Sequence, residues 1–223
     1  MTDDVFNTTT NAWLAGLLTI AIVLAYEVLQ RWYHRGTPQG MARVAHANLR
    51  EAWFRATTAH SGMELLAVQT LRNSLMSATL TASTATLGLM GTVTLTVSHW
   101  ADPSTSLHWG WPLVSPRLGM ELALMLALFI SLACAVMAVR SFSHASFIGA
   151  MPAGSTQQQE WLPTGIQHVR KAGELYSWSL RALLTTAPLV ASIAHPLAGP
   201  IAALCLVLAL WRLDRVPSPT HQT

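Results

Sequence analysis

The sequence predicts an all-α integral membrane fold of about five transmembrane helices, with a long second helix at its centre and one cytoplasmic amphipathic helix. Three observations carry that expectation. Only 10% of the residues are charged, where a soluble domain carries about 25%. Mean hydropathy is +0.38, with apolar runs along the whole chain. One run, Leu75 to Val97, holds no charged side chain. At helical rise it covers roughly 34 Å, enough for a hydrocarbon core of about 30 Å. The expected organisation is one multi-pass domain over residues 1–223, with spans near 12–30, 65–97, 118–140, 175–195 and 197–212.

Residues 1–11 are polar and read as a flexible lead into the first span. Its apolar run, Trp13 to Tyr26, stops at Glu27. Gln30, Arg31, Trp32, Tyr33, His34 and Arg35 then form the aromatic and basic border of a membrane face. Gly36-Thr37-Pro38 breaks the helix. Met41 to His60 reads as the amphipathic helix, carrying Arg43, Arg50 and Arg55, with Val44, Leu49, Trp53 and Phe54 as anchors. Such a pattern suits a helix lying among headgroups or one docking a partner. The second span opens on Gln69, Arg72 and Asn73 before its uncharged run. The loop of residues 98–117 carries Trp100, Trp109 and Trp111, an interfacial aromatic belt. The third span has Glu121 near its start and Arg140 at its end. A helix restarts near Thr164, bears His168, Arg170, Lys171 and Glu174, and turns apolar from Leu175, with Arg181 inside. His195-Pro196 to Gly199-Pro200 is a tight turn before the short last span. The last two segments alternatively form a re-entrant pair.

Of the 13 Lys and Arg residues, all but Arg117 and Arg72 fall on the side of the 36-region loop, the 150-region loop and the C-terminus. The positive-inside rule makes that side cytoplasmic, with the N-terminus outside, as in a bacterial inner (plasma) membrane. Asp3 and Asp4 leave no basic region ahead of the first apolar run, so no cleavable signal is expected. The pI of about 9.3 does not indicate nucleic acid, because the basic residues are scattered beside apolar segments. Cys134 and Cys205 sit in apolar runs and read as small buried hydrophobes, with a disulfide or metal pair as the alternative. No GxSxG, Gly-rich phosphate loop, CxxC or HExxH is present, and no nucleophile stands with a base.

With that topology Glu27, Arg72, Arg140 and Arg181 fall at one depth. A charge inside lipid is costly, so these groups are expected to face protein or water. Gln69, Asn73 and Ser143 join them as a ligand- or ion-binding layer, since converging guanidinium groups suit carboxylates, phosphates and lipid headgroups. The competing reading is a structural ion-pair layer. Ser77, Thr81, Thr84, Gly88 and Gly91 recur at three- and four-residue spacing, which suits a packing or oligomer seam or a hydroxyl-lined pore face. His99, His108 and His195 are weak metal candidates because none is paired at helical spacing. His144, just past Arg140, is a further candidate for the same layer. No metal or cofactor is expected.

At Arg50–Trp53 and in AVQTLRNSLMSATLTAS, residues 67–83, the chain resembles DUF599, an uncharacterised membrane family of bacteria and plants. Ala67, Gln69, Thr70, Leu71, Arg72, Asn73 and Met76 carry the specific part of the resemblance. Arg140, Phe142, Ser143, Arg181, Ala182 and Gly199-Pro200 carry looser parts. The resemblance implies the multi-pass fold and supports the Gln/Arg/Asn layer, but supplies no activity. Two function classes follow from the residues. One is an oligomeric channel or transporter for a small anionic solute. The other is an accessory subunit or lipid-binding scaffold, with the lipid bilayer and other membrane-protein subunits as partners. A membrane enzyme is the third and weaker class.

Overall fold

The computed structural model describes residues 2–33, 42–100 and 115–213, and every element among them is helical. The helices are α1 (Thr2–Tyr33), α2 (Ala42–Ala59), α3 (Glu64–Trp100), α4 (Pro116–Gly149), α5 (Thr156–Leu184), α6 (Thr186–Ala194) and α7 (Ala198–Leu213). The expected break at Gly36–Pro38 lies outside the described residues, as do His34, Arg35, His108, Trp109 and Trp111. The polar lead is not a loop: α1 begins at Thr2. Extending a helix adds one backbone bond per residue without a new nucleus, so the apolar run carries the polar turns with it.

Three helices are long and apolar enough to cross a membrane, over Thr10–Gln30, Glu64–Ser98 and Pro116–Gly149. At most 28% of these windows is buried within the protein, and the outward faces carry Leu17, Leu24, Leu80, Leu87, Leu126 and Phe129. Such surfaces are compatible with a membrane location, where lipid covers what the protein does not. The expected fourth span, 175–195, is divided between α5 and α6. Pro188 has no N–H for the Leu184 carbonyl, so the ladder is interrupted at Thr185. The expected fifth span is α7, whose 16 residues cover only about 24 Å.

The chain packs as two compact units. The α1 unit holds α1, Ala85–Ile130 and Ala182–Leu213. Met120, Leu124, Leu128 and Leu189 form its core, with Ile20, Leu89, Leu183 and Ile193 against them. Small residues allow the close approaches. A Cβ on Gly199 would lie 2.6 Å from Thr19 Oγ1 and 2.7 Å from Ser192 Cβ, where α1, α6 and α7 meet. One on Gly16 would lie 2.8 Å from Met120 Cε. Backbones brought this near gain dispersion contacts, the main attraction between helices in lipid. Thr19 is fully buried and donates to the Ala15 carbonyl at 2.8 Å, so its hydroxyl costs little there.

The α2 unit holds α2, the remainder of α3 up to Thr84, and Ser131–Arg181. Its core joins Phe54 to Leu71 and Ala78 of α3, to Ala138, Phe142, Ala145 and Ile148 of α4, and to Ile166, Val169 and Ala172 of α5. Phe54 is 0% exposed, so it is a core residue rather than a headgroup anchor; Leu49, on the other side of α2, is exposed. Gly165 makes room for the ring, since a Cβ there would lie 2.8 Å from Phe54 Cε1. Thr57 and Thr58 close the same stripe by donating to backbone carbonyls of Trp53 and Phe54. The turns into α3 and α5 need positive φ at Gly62 and Gly154, which glycine adopts without a Cβ clash. Both turns are clamped by side chains. Glu64 accepts from the Gly62 N–H at 2.7 Å and the Ala153 N–H at 3.3 Å. Gln158 donates to the Thr58 carbonyl at 3.0 Å and accepts from the Gly154 N–H at 2.9 Å. Deeper in the unit, Ser131 and Ser179 are fully buried and exchange hydrogen bonds, each hydroxyl donating to the other's carbonyl, at 2.9 and 2.8 Å.

Candidate functional site

α3 turns Ala67, Leu71, Ala78, Thr81 and Ala85 inward. Gln69, Arg72 and Asn73 therefore lie on its outward face, together with Ser77, Thr84 and Gly91. The small-residue series is thus split. Thr81 is buried, and Gly88 faces Leu128, whose Cδ2 lies 3.0 Å from where a Cβ would be, while nothing approaches Gly91 within 4 Å. The hydroxyls bond along their own helix. Ser77, Thr81 and Thr84 donate to the carbonyls of Asn73, Ser77 and Leu80 at 3.1, 2.9 and 2.9 Å. Bonding four residues back satisfies the hydrogen and leaves a hydroxyl lone pair facing outward. Among the described residues, no carboxylate forms an ion pair with Arg72.

The four charges expected at one depth are divided between the two units. Glu27 belongs to the α1 unit and is half-buried; Arg72, Arg140 and Arg181 belong to the α2 unit. Arg181 is 7% exposed. Arg140 is exposed, and Ser143 beside it is half-buried.

Arg140 stands instead with a basic group drawn from two helices. His144 follows it by one turn of α4. The His144 ring lies 5.1 Å from that of His168 on α5, centroid to centroid, at an interplanar angle of 34°. Burial holds His168 below the ordinary histidine pKa, and the positive charge of His144, Lys171 and Arg140 adds to the depression. Next to this group runs an ion-pair chain between α2 and α5. Glu51 binds Arg55 at 3.0 Å and Arg170 at 3.6 Å, and Arg170 reaches Glu174 at 3.6 Å. The Arg50 guanidinium lies against the bare face of Gly173, where any Cβ would collide with it. Burial lowers the Arg50 pKa, and Glu174 opposes that shift. Nothing in the linear sequence joins His168 to His144. The available signal was the one-turn spacing of Arg140 with His144 and of His168 with Lys171.

In the α1 unit the polar centre is Glu121, 4% exposed. It accepts from Thr96 Oγ1 and from Arg117 Nε, both at 3.1 Å. Beside it a cleft of about 190 Å³ is lined by Ser115, Arg117, Met120, Ser192 and Pro196. His195 is exposed, and its Nδ1 accepts from the Leu197 N–H at 3.3 Å, capping the turn. Among the described residues no three His, Cys, Asp or Glu side chains are placed to hold a metal ion. Cys134 and Cys205 are both free thiols.

Among the described residues, all elements are helical and three apolar helices are of membrane-crossing length, largely uncovered by protein, which defines a membrane-compatible helical protein. The family model for DUF599, a protein of unknown function, matches residues 14–219, and the chain belongs to that family. No curated protein and no solved structure matches it.

Proposed function

We propose that the protein is a multi-pass inner-membrane homo-oligomer, associated through the outward face of α3, that conducts or transports a small anionic solute. The observation that carries this reading is the outward placement of polar groups on α3: Gln69, Arg72, Asn73, Ser77 and Thr84 face out beside Leu80 and Leu87, while Ala67, Leu71, Ala78 and Ala85 are buried. A lipid-facing Arg costs about 2.5–3.5 kcal/mol at the bilayer centre and less near the edge. A second copy seated on this face removes that cost and brings several guanidinium groups around one axis. Arg72 would then attract the solute, with Gln69 and Asn73 coordinating it through their amides. Hydroxyls and the open backbone at Gly91 would line the path. Arg140 and Arg181 add positive potential without touching the solute. In this reading the chain crosses five times, α5 and α6 making the fourth crossing and α7 the fifth, with the N-terminus outside.

Native mass spectrometry of the gently solubilised protein, followed by anion flux in proteoliposomes, tests it. A closed homo-oligomer is expected, with flux that falls at least about tenfold in Arg72→Ala. A monomer, or flux unchanged in that variant, removes the proposal. The ion-pair chain along α2 and α5 favours a second reading, an accessory subunit or lipid-binding scaffold. A stable complex with a different membrane protein, and no flux, would put that reading first.

A further inference from the structure

We infer that Arg140, His144, His168 and Lys171 form a binding site for a phosphate group on the turn-proximal half of the α4–α5 hairpin, carried by an anionic phospholipid headgroup or by free inorganic phosphate. The site lies on α4 and α5 and does not depend on association through α3.

Its geometry comes from two one-turn pairs on packed helices. Arg140 and His144 share a face of α4; His168 and Lys171 share a face of α5; the two imidazoles meet at 5.1 Å. His144, Lys171 and Arg140 each act on His168 as positive charges. Three acidic side chains of the neighbouring elements are engaged elsewhere, and the exposed Glu160 lies eight residues before His168 on α5. Glu51 bridges Arg55 and Arg170, Glu174 holds Arg170 and faces Arg50, and Glu64 is bound to the backbone N–H groups of Gly62 and Ala153. Four basic side chains brought together without a carboxylate repel one another, and an anion among them reverses the sign of that interaction.

The donors suit phosphate. A guanidinium offers a planar fork that takes two phosphate oxygens, an ammonium adds a point charge, and protonated imidazoles add N–H donors. Two imidazoles flanked by Arg and Lys are a poor cation site. Arg140, His144 and Lys171 are exposed and His168 is half-buried, so the group is open to a ligand. Its depth suits a headgroup. From Leu122 to Val139, α4 carries 18 uncharged residues, roughly 27 Å of helix, so Arg140 stands where the hydrocarbon ends.

The test is native mass spectrometry and equilibrium titration of the full-length protein, using short-chain phosphatidylglycerol, inorganic phosphate, and phosphatidylcholine as the uncharged control. Phosphatidylglycerol is expected to bind in preference to phosphatidylcholine, with affinity rising as pH falls from about 7.5 to 5.5 while the diester's charge stays constant. Arg140→Gln with Lys171→Gln should weaken binding about tenfold or more, and His144→Gln with His168→Gln should abolish the pH dependence. Binding of inorganic phosphate alone, lost in the same variants, supports the site and identifies its source as free phosphate. Either probe bound equally by native protein and by variants with unchanged melting temperature overturns the proposal. If the Arg140/Lys171 variant does not fold, the histidine pair decides: pH dependence retained without the imidazoles also overturns it.

Discussion

The α1 unit and the α2 unit solve different problems with the same helices. In the α1 unit the polar groups face inward and close on each other. Glu121 is held by Thr96 and Arg117, Thr19 bonds its own helix, and the seam of α1, α6 and α7 is made of Gly199, Ser192 and Thr19. In the α2 unit the apolar groups close inward around Phe54, and the ionisable groups other than the buried Arg181 lie mostly at the surface: Arg72, the ion-pair chain of α2 and α5, and the Arg140–Lys171 group. One unit spends its polar residues on helix packing, and the other displays them to ligands. Function is therefore sought in the α2 unit.

The largest effect that would break this contrast is at Phe54. Phe54→Ala should destabilise by about 3–5 kcal/mol, because it empties a site shared by four helices. Unfolding in mixed micelles followed by circular dichroism measures it. A loss below about 1 kcal/mol would mean that α2 lies on the surface and that its unit has no common core. A smaller effect is expected at the helix seam of the α1 unit. Gly199→Ala should cost about 1–3 kcal/mol through overpacking against Thr19 and Ser192, whereas Gly91→Ala, with nothing near its Cβ, should change stability by less than about 0.5 kcal/mol. Equal losses at the two glycines would remove the close approach as the basis of that seam.

The smallest effect sharpens the comparison by pH. His168 is held below its ordinary pKa of 6.5 in the folded state. Between the folded and unfolded values the unfolded chain binds more protons, so stability rises with pH there. The contribution is complete above pH 6.5 and is lost as pH falls through the depressed folded value. Melting temperature of the phosphate-free protein should decline over that window, and less so in His168→Gln. A decline unchanged in the variant would assign the titration to another group.

Much of the fold is legible in sequence because a long uncharged run favours an internally bonded backbone in any apolar surrounding. The uncharged run of Leu75–Val97 requires an internally bonded backbone of crossing length whatever packs beside it, and α3 and α4 follow. The split at Thr185 is also traceable, since Pro188 removes one N–H from the ladder. Phe54 is less legible. An apolar stripe on an amphipathic helix is satisfied equally by headgroups or by a protein core, and residue spacing alone does not choose between them. The candidate site is the least legible part. Gln69, Arg72 and Asn73 stand out as a local cluster, but which way they face depends on which stripe of α3 its neighbours cover.

Local chemistry thus determines the helical class, the membrane-length segments and the family, because hydropathy and motif are properties of contiguous residues. Packing alone decides that Phe54 is core, that Arg72 faces outward, and that His144 meets His168 while Glu27 and Arg181 belong to different units. Those outcomes rest on contacts between residues far apart in the chain, whose energies depend on how the helices fit together.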